Sequence, residues 1–198
     1  MKNTKKALLM TLCAVMLVAA SVMGTMAYLT STTGVVTNTF TVGKVGITLD
    51  EAKVDEYGDK IDNNGDKVID DKDRVTENTY KLVPGHNYVK DPTVHVAADS
   101  EESYLFVKLT NGITAIEAET TIANQMKENW TLVDNANNIY RYNKTVTAGQ
   151  NIVVFNNFTI SGTADVSTYA GKTITVIACA VQADGLTAET ALAAAKWN

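Results

Sequence analysis

Ser103-Tyr-Leu-Phe-Val-Lys-Leu-Thr110 sets Leu105, Val107 and Leu109 on one face and Tyr104, Phe106 and Lys108 on the other. Apolar side chains on both faces of a period-two pattern predict a mostly buried β-strand, and Asn111-Gly112 closes it with turn chemistry. Moving toward the N-terminus, Thr93 to Ala97 reads as a strand entered through Asp91-Pro92. Tyr80 to Val83 and Asn87 to Lys90 flank the Pro84-Gly85 turn, and Lys44-Val-Gly-Ile-Thr-Leu49 puts Val45, Ile47 and Leu49 on one face. Moving toward the C-terminus, Trp130 to Val133, Ile139 to Tyr142, Asn151 to Phe155, Phe158 to Ile160 and the long apolar run Lys172 to Gln182 repeat the strand chemistry. Asn-, Asp- and Gly-rich turns such as Asp134-Asn-Ala-Asn-Asn138 separate them.

The period changes over Ile113 to Asn129, where Ile116, Ile122, Ala123 and Met126 sit among Glu and Lys, and a helical excursion is expected there. A second short helix is expected at Ala164 to Tyr169. A terminal Ala-rich helix is expected after Gly185, with Thr187 as N-cap. Nine or ten short strands with few helices predict an all-β fold, an antiparallel β-sandwich occupying 44–198 as one domain.

Between Lys6 and Lys44 the chain carries no charge over 37 residues. Lys2, Lys5 and Lys6 followed by apolar Ala7 to Ala20 and small-residue Ser21 to Ala27 form the pattern of a secretory signal over 1–27, with cleavage between Ala27 and Tyr28. The apolar stretch is short against the roughly 20 residues that span a bilayer, so contact with the membrane is expected only during export. Loss of 1–27 removes three lysines and no acids and leaves 14 basic and 22 acidic side chains, a net charge of −8. That balance, without any basic stripe, argues against nucleic acid. Cys179 alone remains, so the exported domain has no internal disulfide.

Asp62-Asn-Asn-Gly-Asp-Lys-Val-Ile-Asp-Asp-Lys-Asp73 has the oxygen spacing of an EF-hand-type calcium loop. Asp62, Asn64, Asp66, the Val68 carbonyl, Asp70 and Asp73 take positions 1, 3, 5, 7, 9 and 12. Gly65 at position 4, Lys67 at position 6 and the short Asp73 arm at position 12 depart from the pattern. A solvated acidic loop accounts for the same composition, and no cofactor is required by the remaining sequence. His86 and His95 lack the helical spacing of a zinc protease, and Cys179 lies in an apolar run that suits a buried inert thiol. No nucleophile elbow, phosphate loop or dinucleotide fingerprint occurs, and no residue is assigned a catalytic role.

Tyr28 to Val42, within the arm 28–43, is uncharged, free of proline and rich in Thr, Val, Phe and Tyr. Exposed edge strands usually carry charge or proline to prevent pairing, and an arm lacking both suits addition to another chain's sheet. Alternate side chains Val36, Asn38, Phe40 and Val42 would then fill pockets. The other reading is an ordinary first strand of the protein's own sandwich.

Met26-Ala27-Tyr28, Asn38-Thr-Phe-Thr-Val-Gly43, Val83-Pro-Gly85, Lys90-Asp-Pro-Thr-Val94, Tyr104-Leu-Phe-Val107 and Ala180-Val-Gln182 with Trp197 together resemble the TasA/camelysin family of Gram-positive bacteria. The acidic stretch 55–78 resembles an insertion in that pattern. The resemblance implies a jelly-roll-like sandwich, export through a signal peptidase of the SipW type, and fibres of the biofilm matrix assembled by donation of the N-terminal strand. The expected partners are copies of this chain or sibling matrix proteins, and the expected location is the cell surface or extracellular matrix. The camelysin branch implies a surface metalloendopeptidase, for which His86, His95 and Asp91 are the candidate ligands. A calcium-stabilised surface adhesin is a third expectation.

Overall fold

Period-two patterning is realised in ten strands among the described residues, which in this computed structural model are 6, 10–16 and 43–197. The cleavage pair Ala27 and Tyr28 and the arm positions Val36, Asn38, Phe40 and Val42 lie outside them. Within the expected signal segment, residues 6 and 10–16 are helical.

The strands are β1 (Ile47–Ala52), β2 (Arg74–Val75), β3 (Asn87–Val89), β4 (Thr93–Val96), β5 (Ser103–Asn111), β6 (Trp130–Asp134), β7 (Ile139–Val146), β8 (Asn151–Val153), β9 (Asn157–Thr159) and β10 (Ile174–Gln182). They form one sheet in the order β2-β1-β4-β8, a second in the order β10-β5-β7-β6, and the small pair β3-β9, all antiparallel. The chain is thus an all-β sandwich, crossing between the two large sheets after β4, after β7 and, by way of β9, between β8 and β10.

The opening octapeptide becomes the centre of the second sheet. Leu105, Val107 and Leu109 face the main core with Val94 and Val96 of β4, Ile152 of β8 and Val146 of β7. Phe106 points the other way, into a smaller cluster with Ile139 and Ala191. Ala191 belongs to α2 (Ala188–Ala194), so the terminal helix covers the back of this sheet. Thr187 caps it as expected: its hydroxyl accepts from the Thr190 N–H, and the Thr190 hydroxyl accepts from the Thr187 N–H.

Three local expectations are corrected. The stretch 113–129 is not one helix but a 3-10 turn, Thr114–Ile116, and a short helix α1, Ile122–Met126, capped by Thr121. The break falls at Glu117, which adopts extended backbone and bridges to Ile160. Residues 164–169 form turns instead of a helix, because the Asp165 carboxylate captures the Ser167 N–H. Residues 80–83 form no strand. Their backbone is tied off by a side chain: the buried Tyr88 hydroxyl donates to Lys81 O at 2.6 Å and accepts from Val83 N at 2.7 Å.

Glu117 also gives a pH signature. Burial raises its carboxyl pKa, while the Ile122 N–H and the Asn111 amide act against that rise. A raised folded-state pKa means stability present in acid and lost as pH climbs through it. Between roughly pH 4 and 7, the melting temperature of Glu117→Gln is therefore expected to rise relative to the parent; parallel curves would reject this role for burial.

Candidate functional site

Two places gather unusual chemistry, and the first is the acidic loop. Asp62 Oδ1 accepts from Asn64 N and Gly65 N, Asn64 Oδ1 from Asp66 N, and Asp66 Oδ1 from Val68 N. These consecutive Asx turns wind the segment into a coil. At position 6, where glycine is usual, Lys67 takes φ +67° and donates its N–H to Asp62 Oδ2 at 2.8 Å. The backbone therefore adopts the left-handed turn although the residue there carries a side chain. Asp73 is only 2% exposed. Its carboxylate accepts from Asp70, Asn63 and Asn64 N–H groups, and those bonds hold its pKa below the ordinary value. Asp70 is bound to Lys72, and Val68 and Ile69 project into solvent. Among the described residues no three His, Cys, Asp or Glu side chains converge to hold a metal, so a cation here would draw on Asn64 and the Val68 carbonyl as well.

The histidines are held apart. His86 Nε2 meets Tyr57 O, and the two ring nitrogens of His95 meet Asn151 Oδ1 and Asp50 Oδ1, each at 2.8 Å. Asp91 binds Ala52 N, Lys60 and Arg74. Of the three candidate ligands, His95 and Asp91 thus serve a polar row across β8, β4, β1 and β2, and His86 lies outside it. Burial works against the Asp50 carboxylate in that row, but its bonds to Arg74 and His95 outweigh burial and keep its pKa low.

The second place is an open side of the sandwich. β10 pairs with β5 along its whole length, and among the described residues no strand pairs with its other edge. β1 pairs with β4 through 47–50 and meets β2 only at Glu51 and Ala52. Between these two edges runs a groove of about 750 Å³, lined by Leu49, Leu82, Ile113, Phe158, Ile174 and Val176 among others. β10 has neither charge nor proline and stays half-exposed along most of its length. Such an edge lacks the features that normally block strand addition.

One wall of this groove is the segment 76–82, which the sequence divides between the acidic insertion and an expected strand. Asn78 fastens it to β1, donating to Glu51 Oε1 at 3.0 Å and Ala52 O at 2.9 Å while accepting from Val54 N at 3.1 Å. Lys90 Nζ reaches the other Glu51 oxygen at 2.5 Å. Beside this cluster burial raises the Tyr80 hydroxyl pKa, with the negative Glu51 and Asp91 adding to the effect. A Glu, an Asn and a Lys spread over 40 residues carry no spacing signal.

No protein-family model, curated protein or solved structure matches the chain. Among the described residues no helix is long and apolar enough to cross a membrane.

Proposed function

We propose that this is a secreted structural protein of the cell surface or biofilm matrix that assembles head to tail, the arm 28–42 of one copy adding as a strand to the open edge of β10 in the next. The observation that carries the reading is that edge: nine uncharged residues beside a groove of mixed apolar and polar lining, in a chain whose arm is likewise uncharged and β-prone. Main-chain hydrogen bonds would supply affinity, and Val36, Asn38, Phe40 and Val42 would set register. A contact of this kind uses two different surfaces and does not close, so it grows into a fibre. The resemblance to the TasA/camelysin family points the same way. Light scattering and electron microscopy on the chain beginning at Tyr28 and on a version that also lacks 28–42 test it. Fibres from the former and monomers from the latter are expected, and equal behaviour of the two rejects it.

The winding of the acidic loop favours a second, compatible reading, a calcium ion held by Asp62, Asn64, Asp66 and Val68 O that stiffens the insertion 55–78, with Asp73 bracing the loop through its backbone bonds. Extracellular calcium modules bind at about 0.1–1 mM, so roughly 10 mM calcium would stabilise the fold by about 2 kcal/mol. A melting-temperature rise with calcium that Asp62→Ala abolishes is the expected result. An unchanged melting curve would leave the segment a solvated loop.

A further inference from the structure

The Lys90–Glu51–Asn78 cluster at one end of the groove has the makings of a reaction. Lys90 and Glu51 are largely withdrawn from water, their side chains 11% and 6% exposed. One carboxylate touches both other groups, the lysine nitrogen through Oε2 and the asparagine nitrogen through Oε1. The orientation of the Asn78 amide is fixed by its partners, since Oδ1 faces a donor, Val54 N, and Nδ2 faces two acceptors. The aromatic ring of Tyr80 lies 5.9 Å from Lys90 Nζ and walls the cluster. A structural ion pair needs no primary amide on its second oxygen. An amine, an amide carbonyl and a shared proton carrier are what acyl transfer needs.

We propose that Lys90 and Asn78 become joined by an intramolecular isopeptide bond, formed by the chain itself with Glu51 as the catalytic residue. Glu51 takes a proton from the Lys90 ammonium along the 2.5 Å contact, and the free amine attacks Asn78 Cγ. Charge gathers on Oδ1, where the Val54 N–H at 3.1 Å already points. Glu51 then returns its proton to Nδ2 as the Cγ–Nδ2 bond breaks. The new amide nitrogen loses its surplus proton, which leaves with the departing ammonia as ammonium, and Glu51 ends as a carboxylate. No oxidant or other reactant is consumed. The burial of Lys90 and Glu51 limits the water that can compete with the amine for the activated carbonyl. The bond would tie the unpaired segment 76–82 to the end of β3, and it would give a covalent tie to an exported domain that holds one cysteine.

Mass spectrometry of the folded full chain decides the matter. Its mass is expected to fall short of the sequence mass by one ammonia, about 17 Da, and trypsin is expected to leave Lys90 uncut. The peptide from Val75 to Lys81 would emerge branched onto that from Leu82 to Lys108, which separates an isopeptide from cyclisation within one peptide. Glu51→Gln and Lys90→Arg are each expected to restore the full mass, with circular dichroism confirming that the variants fold. If either variant fails to fold, the wild-type peptides still decide. Free peptides Val75 to Lys81 and Leu82 to Lys90 from folded wild-type protein overturn the proposal.

Discussion

Thr175→Lys is expected to abolish fibre formation while leaving the subunit folded. Thr175 is exposed, sits on β10, whose outer edge has no partner strand among the described residues, and lines the groove. In the free subunit a lysine there reaches solvent, and surface substitutions of this kind change stability within about 0.5 kcal/mol. In the assembled state the incoming strand would run beside it and strip its water. Burying an unpaired ammonium costs several kcal/mol, so at least a tenfold loss of association, about 1.4 kcal/mol, is a conservative expectation. Sedimentation at matched concentration reads this directly. Fibres from Thr175→Lys at the parental rate would move the acceptor edge elsewhere, β2, β6 and β8 being the other outer strands of the two large sheets.

Phe158→Ala is expected to be the most damaging single change to the fold, at about 3–5 kcal/mol. Phe158 is 1% exposed and stacks on Tyr88 with ring centroids 4.8 Å apart and planes 12° apart; Tyr80 meets it edge-on at 5.2 Å. β9 carries Phe158 and β3 carries Tyr88, directly opposite in register. Together with Tyr80 the pair forms the aromatic floor between the groove and the core. Truncation leaves a cavity beneath Tyr88, whose hydroxyl bonds to the backbone of residues 81 and 83, so the loss extends beyond the ring itself. Denaturant unfolding with an unchanged slope and a midpoint shift worth less than about 1 kcal/mol would show that the floor collapses without penalty.

Both predictions rest on features that sequence reasoning reaches unequally. β5, β4, β10 and the capped terminal helix were legible because their patterns are local: alternation for the strands, and Thr187 after Gly185 for the helix. Residues 80–83 carry the same β-prone side chains yet pair with no strand, because a distant residue decides: Tyr88 folds its hydroxyl onto their backbone. Residues 164–169 look helical in composition, but one Asx turn at Asp165 outcompetes a short helix. The acidic loop was legible as a spacing, and its Lys67 departure is absorbed by a left-handed backbone that no spacing rule reveals. The Lys90–Glu51–Asn78 cluster was invisible, since its members meet only when β1, the end of β3 and the 76–82 segment are in place. The edge of β10 was half legible. Its long apolar run announced a strand, but only the topology shows that one side is left without a partner.

Strand addition is the central claim, and a labelled peptide of the sequence Tyr28 to Val42, titrated against the chain lacking residues 1–42, tests it most directly. Hydrogen exchange of the mixture locates the contact. Saturable binding that protects backbone amides within Ile174–Gln182 and is lost with Thr175→Lys is the predicted result. Absence of binding, or protection confined to β6 or β8, would contradict it.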